Sequence, residues 1–317
     1  MRPRLPPFAG PEPGTPVAQV PPIAYLAFVI FAWGGNYTWV KLALADGGPW
    51  SFNAWRYLIA TAVLGGVLLI ANGPRKVLPH SAELGHVALI GVLQVALMTG
   101  GTTLALQYID ASRGVLIAYS MPFWGMVLAF LMLGERPTRL MLAGLVVGIT
   151  GLCLLFTPWA MDWTSGTAIT GSLIALGATI SWALGSVLFR MRRWRSGFWQ
   201  HVFGQLAAGM CLIVPAALFF ESRHTDPTFN FLAVVIWSAI GPSIFGFWCW
   251  ARALDRIPVA SASQVLLLSP VFGVFLSALV LGEPLRPALV AATALIVLGA
   301  FLSYWRGPRR SQPPTQS

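Results

Sequence analysis

One pattern occurs twice in this chain, 148 residues apart. Ala105-Leu106, Ile109, Pro122, Gly125, Leu128 and Leu133-Gly134-Glu135 return in register as Ala253-Leu254, Ile257, Pro270, Gly273, Leu276 and Leu281-Gly282-Glu283. Upstream, Trp33 and Lys41 return as Trp182 and Arg190 with the spacing between them kept. So apolar a chain repeats leucines by chance, but not a proline and a Leu-Gly-Glu triplet in fixed relation. Apolar runs of about 20 residues, the length that crosses roughly 30 Å of hydrocarbon, fall at 22–44, 51–71, 85–108, 112–133, 140–158, 168–190, 199–220, 231–254, 260–281 and 288–305. Five lie in each copy. An odd number of crossings sends the second copy into the membrane from the opposite side. The fold expected is therefore all-α integral membrane, ten transmembrane helices as two inverted five-helix repeats.

Composition agrees. The chain is 56% hydrophobic and 9% charged, against about 25% charged in soluble domains, so it belongs in a lipid bilayer with almost nothing left for a soluble domain. A net charge of +10 raises the question of nucleic acid, but the charges are scattered among short loops and make no basic face. Their placement fits the positive-inside rule: with cytoplasmic termini, fifteen Lys and Arg face the cytoplasm, Arg190, Arg192, Arg193 and Arg195 being the densest run. Only Lys41, Arg56, Arg113, Arg223 and Arg286 fall elsewhere. The expected organisation is a disordered cytoplasmic arm (1–21), a first repeat (22–159), an external connector (160–167), a second repeat (168–305) and a basic cytoplasmic tail (306–317) drawn to anionic lipid. The arm lacks the apolar core of a cleavable signal. Cys153, Cys211 and Cys249 all lie in apolar runs and imply no disulfide framework.

Ionisable groups inside lipid are costly, and each is a functional hypothesis by default. All ten acids fall in loops, tails or span ends, which argues against cation-for-proton exchange through a mid-membrane carboxylate; for protons, His201 and the loop acids remain. Arg56, about two turns into the second span, is the deepest clear charge. It suits a carboxylate or phosphate of a substrate; the rival reading is an arginine that snorkels or ties helices together through carbonyls. Uncharged polar residues are more numerous, Asn36, Gln94, Tyr119 and Gln264 among them, and bind polar metabolites without the desolvation cost of fixed charge. Trp33, Trp182 and Trp248 suit an aromatic cavity wall. Pro122 and Pro270, mid-span in both copies, break a helix and free a carbonyl; they are the candidate hinges. Gly144 and Gly148 make a small-residue face that serves helix packing within the chain or, alternatively, a homodimer seam.

No catalytic residue, metal site or cofactor is expected: the sequence has no His-Glu-x-x-His, no Gly-x-Ser-Gly, no aspartate-rich pair and no nucleotide-binding Gly-x-x-x-x-Gly-Lys-Ser/Thr.

Trp33-Gly34-Gly35-Asn36-Tyr37 with Lys41, the segment from Pro49 to Arg56, and the run from Ala111 through Pro122 to Glu135, echoed from Trp182 through Pro270 to Glu283, resemble EamA-type members of the drug/metabolite transporter superfamily. The resemblance covers nearly all of 22–305. It implies a ten-helix inner-membrane carrier with a central cavity between inverted repeats, commonly an exporter of amino acids or other metabolites. The first and sixth spans diverge after the shared tryptophan, Gly34-Gly35-Asn36 against Ala183-Leu184-Gly185, so any site is asymmetric. The expectation is a secondary carrier exporting a small polar or amphipathic metabolite by alternating access. Its candidate cavity residues are Trp33, Asn36, Arg56, Gln94, Tyr119, Trp182, Trp248 and Gln264. The alternatives are a lipid-modifying membrane enzyme and a channel. Partners expected are the small-molecule substrate and the lipid bilayer, with no nucleic acid.

Overall fold

The computed structural model describes residues 20–135, 137–155, 166–221, 224–254, 256, 262 and 265–304. The basic tail, nearly all of the N-terminal arm, most of the connector and Gln264 lie outside the described residues. Within them the chain is helical, with no strand. Seven helices are long and apolar enough to cross a membrane: α1 (Pro22–Ala43), α2 (Pro49–Asn72), α3 (Ser81–Ala105), α4 (Ala111–Leu133), α6 (Gly166–Arg190), α7 (Phe198–Phe220) and α8 (Phe229–Leu254). Three are shorter: α5 (Arg139–Leu154), α9 (Leu268–Leu281) and α10 (Pro287–Leu302). Run 140–158 was expected to continue past Leu154, but the α5 helix stops there; residues 156–158 lie outside the described set.

Local chemistry sets the ends. Pro49 opens α2, where a missing N–H costs nothing. Thr138 and Thr228 cap α5 and α8 by accepting from Met141 N (3.2 Å) and Phe231 N (3.1 Å). In the two Leu-Gly-Glu triplets the glycine takes a left-handed conformation, φ 66° at Gly134 and 67° at Gly282, and stops α4 and α9. Pro122 and Pro270 act alike: α4 breaks at Tyr119-Ser120, the chain turns at Leu267 just ahead of α9, and a helical segment follows each. The Ile117 carbonyl at the α4 break accepts from Ser120 Oγ (2.6 Å) and Thr179 Oγ1 (3.4 Å).

The packing has the symmetry of the repeat. Exchanging α1–α5 for α6–α10 maps α2 against α7, α4 against α9 and α5 against α10 onto themselves. It also exchanges α1–α8 with α6–α3, α1–α9 with α6–α4, and α2–α8 with α7–α3, and all six pairs are in contact. The first helix of each half thus packs mainly on the other half. Backbones come closest where side chains vanish. A Cβ on Gly34 would sit 2.4 Å from Ser269 O, and one on Gly273 2.7 Å from Gly34 O, at the α1–α9 crossing. At the α5–α10 crossing a Cβ on Gly299 would meet Gly144 O at 2.6 Å and Gly148 N at 2.5 Å. The Gly144/Gly148 face is therefore filled by α10 of the same chain, as close packing in lipid favours.

Carboxylates fasten the ends of these pairs. Glu221, just past α7, accepts from Trp50 N (3.0 Å) and Ser51 N (3.2 Å) at the start of α2. Its counterpart Glu83, in the first turn of α3, accepts from Arg195 N (2.5 Å) and Ser196 N (3.2 Å) ahead of α7. Glu283 accepts from Ala111 N (2.7 Å) and Ser112 N (3.0 Å) and caps α4. Glu221 and Glu283 use the unpaired N–H groups and positive dipole end of a helix from the other half, while Glu83 holds the two residues that precede the α7 N-cap.

Candidate functional site

The site begins with a third mid-span proline. Pro242 has no N–H and its ring crowds the carbonyl one turn back, so α8 widens into a π turn over Gly241–Phe245. The carbonyl left over, Ser238 O, accepts from Ser243 Oγ at 2.8 Å. That hydroxyl in turn accepts from Arg56 Nε (3.2 Å) and Nη2 (2.9 Å). On the other side of the same turn, Ser238 Oγ donates to Asn36 Oδ1 at 2.9 Å, and Trp33 Nε1 donates to Pro242 O at 3.1 Å. Trp33 itself lies in a π turn of α1, Ile30–Gly34. One distorted turn of α8 therefore gathers Trp33, Asn36 and Arg56 from two helices of the other half.

Arg56 is 8% exposed, so it does not snorkel. Its guanidinium lies 5.0 Å from the Tyr57 ring centroid, and among the described residues its hydrogen bonds go only to the Ser243 hydroxyl. Removing a charge from water costs several kcal/mol even after relaxation, while a hydrogen bond to a charged group returns about 1.5–3 kcal/mol. The group is under-compensated. Tyr57 extends the network through its hydroxyl to Thr99 Oγ1 (2.9 Å) on α3.

Gln94 and Trp182 meet at the symmetry-related crossing. Gln94, in the π stretch Val92–Gly100 of α3, donates through Nε2 to Trp182 O (3.3 Å) and Ser186 Oγ (2.9 Å) on α6. It is the tryptophan carbonyl, not the ring, that makes this contact. Gly185 leaves the room: a Cβ there would lie 2.7 Å from Gln94 Cγ.

The remaining candidates lie elsewhere. Tyr119 ends the first segment of α4 and packs on an apolar cluster with Tyr37 and Trp124. Trp248 stacks on Phe245 (centroids 5.0 Å) and meets Tyr25 edge-on; with Leu64, Val67, Trp199 and Ile244 it lines an apolar cleft of about 260 Å³ beside the polar network. His201, the titratable group considered for protons, sits at the start of α7 with Nε2 3.5 Å from Glu83 Oε2. Of the terminal cations, Lys41 donates to the Ile109 carbonyl (2.7 Å) and to that of Leu106, closing the C-terminal end of α3; Arg190 pairs with Glu135 at 2.6 Å. Sequence reasoning missed Ser238, Ser243, Tyr57, Thr99 and Ser186. The available signal was Pro242, a mid-span proline like Pro122 and Pro270, which distorts its helix without ending it.

The model of the EamA-like transporter family matches this chain twice, over residues 21–157 and 169–305. The chain belongs to the EamA-like transporter family. The two matched stretches coincide with the two halves whose helices pair above. Similar proteins carry transporter names: the uncharacterized transporter YoaV of Bacillus subtilis is 25% identical over 89% of this chain and 96% of its own length. The uncharacterized inner membrane transporter YedA of Escherichia coli K12 is 24% identical over 90% and 93%. A solved crystal structure superposes with a TM-score of 0.60 at 22% identity, over 87% of this chain and 96% of its own, and so shares the EamA-like chain's fold. The protein is thus a multi-pass membrane protein of a transporter family.

Proposed function

We propose that the chain is a secondary carrier that exports a small polar or amphipathic metabolite by alternating access. In this reading all ten apolar helices cross the membrane, the two five-helix halves are inverted, and both termini are cytoplasmic. The observation that carries it is the turn of α8 around Pro242, where Ser238 and Ser243 hold Asn36 and Arg56 of the other half. A polar cluster built jointly by two repeats near mid-span is where a transporter of this architecture binds its cargo, and π distortions of helices concentrate at functional sites. Pro122 and Pro270 supply matched breaks about which the halves rock. The basic residues at the ends of α4, α6 and α8 support an orientation with those ends inside.

Two measurements test this. Reporters fused after Asp162 and after the C-terminal tail should give opposite sidedness; the same side for both would end the inverted-repeat reading. Profiles of intracellular and exported metabolites, with and without the protein, should show at least one compound retained on deletion and released on overproduction. In proteoliposomes its flux should saturate and show counterflow, which a channel does not.

A further inference from the structure

We propose that Arg56 seats a carboxylate, and that the cargo is a small net-anionic monocarboxylate with an apolar body. The inference rests on the carrier reading above and narrows it. A guanidinium presents five N–H donors in a planar fork. In Arg56, Nε and Nη2 converge on the single Ser243 Oγ, and among the described residues no acceptor meets Nη1. The neighbouring amide repeats the imbalance: Asn36 uses Oδ1 to accept from Ser238, and its Nδ2 donors have no described partner. Two donor-rich groups tied to one turn of α8, one of them a buried charge, call for an acceptor that carries negative charge and two oxygens. A carboxylate has that form, and paired N–H···O bonds to arginine are its strongest recognition mode.

Charge balance selects within the anions. Of the other cations in the helices nearby, Lys41 is spent on the Leu106 and Ile109 carbonyls, Arg113 Nη1 on Leu155 O (2.7 Å), and Arg252, near the far end of α8, lies over the Trp248 ring (5.6 Å). One positive charge matches one carboxylate better than a phosphate dianion. None of the ten acids is mid-span; Glu83, Glu221 and Glu283 are held at helix ends. Among the described residues, the ammonium of a free amino acid would find no carboxylate hydrogen-bonded or ion-paired to Arg56 or Asn36. The walls of the same seam are aromatic, Trp33 lying 5.4 Å from Phe247 and 6.1 Å from Trp250, which suits an apolar body.

The test compares exported metabolites from cells producing the wild-type chain, R56K or R56Q at equal membrane abundance. Compounds whose export needs the wild-type chain should be monocarboxylates without a free ammonium, and R56Q should lower their export at least about tenfold, a change worth one strong charged contact. R56K, which keeps the charge but loses the fork, should retain more than R56Q. Dependence restricted to phosphates, neutral compounds or cations overturns the carboxylate seat, and dependence restricted to zwitterions overturns the net-anionic cargo; each leaves the carrier reading standing, and neither result needs a variant to fold. R56Q export equal to wild type overturns it as well. A flat profile for every compound removes the carrier reading instead. The seat is then judged by thermal melting of the purified full chain with benzoate, benzamide or phenylalanine: stabilisation by benzoate alone retains it, stabilisation by benzoate and phenylalanine retains the seat but overturns the net-anionic cargo, and any other pattern overturns the seat.

Discussion

Two crossings occupy equivalent places in the two halves and are joined by opposite chemistry. Where α1 meets α8, the first helix brings the polar groups: Trp33 donates to Pro242 O and Asn36 accepts from Ser238. Where α6 meets α3, the donor comes from the third helix: Gln94 bonds the Trp182 carbonyl and Ser186, while the place matching Asn36 is Gly185, kept bare for the Gln94 side chain. The scaffold is two-fold in its helix pairing, but the amides are not. Gln94 spends both amide donors on α6 itself, so it keeps no donor for a further partner. At the α1–α8 crossing Asn36 and Arg56 keep donors in reserve. Symmetry serves the packing, and in the proposed carrier its local breaking serves binding.

The largest effect should come from forcing the symmetric frame apart. Gly34→Leu places side-chain atoms where Ser269 O lies 2.4 Å from an ideal Cβ, and backbone cannot yield as a flexible side chain does. Folded, monodisperse protein in mild detergent should fall at least about tenfold, since overpacking costs about 1–3 kcal/mol or more. Ala183, the matching residue of α6, already carries a Cβ; Ala183→Gly should change stability by only about 1 kcal/mol. Equal yields for the two variants would mean that the crossings are interchangeable.

Next come the two amides. Asn36→Ala should lower flux roughly tenfold and Gln94→Leu only about threefold, because each hydrogen bond is worth about 1 kcal/mol and only Asn36 has donors left for cargo. Flux measured in vesicles at equal protein checks the order. A larger loss from Gln94→Leu would move the site to the α6–α3 crossing, and unchanged flux in both would remove both residues from it.

The asymmetry was only half legible in the sequence. Hydropathy and the doubled Pro and Leu-Gly-Glu positions point to the helices and to their pairing, because burial in lipid leaves the backbone few options. Arg56 stood out for the same reason, as a charge with nowhere inexpensive to go. Ser238 and Ser243 did not: serine in an apolar run reads as filler until Pro242 is seen to orphan the Ser238 carbonyl. Trp182 was chosen for its ring, yet its carbonyl makes the contact with Gln94, and backbone acceptors leave no trace in composition. Trp248 fits the aromatic pattern but stands at the apolar cleft beside the network. The glutamates were read correctly as end residues, while their partners, N–H groups of helices in the other half, are invisible without the fold.

The smallest effect separates the two Leu-Gly-Glu triplets, which are identical in sequence. Glu283 places both oxygens on the first N–H groups of α4, whereas the described partner of Glu135 is Arg190, at 49% and 57% side-chain exposure. A helix cap contributes about 1 kcal/mol; an exposed ion pair contributes roughly 0–1 kcal/mol and fades with salt. Glu283→Gln keeps one oxygen acceptor but loses the charge and the second acceptor. It should lower the melting temperature by about 2 °C or more, in low and high salt alike. Glu135→Gln should shift it less, and the shift should vanish at high salt because water already screens the pair. If the two shifts are equal and equally salt-sensitive, the triplets work alike and the departure from symmetry is confined to the polar crossings.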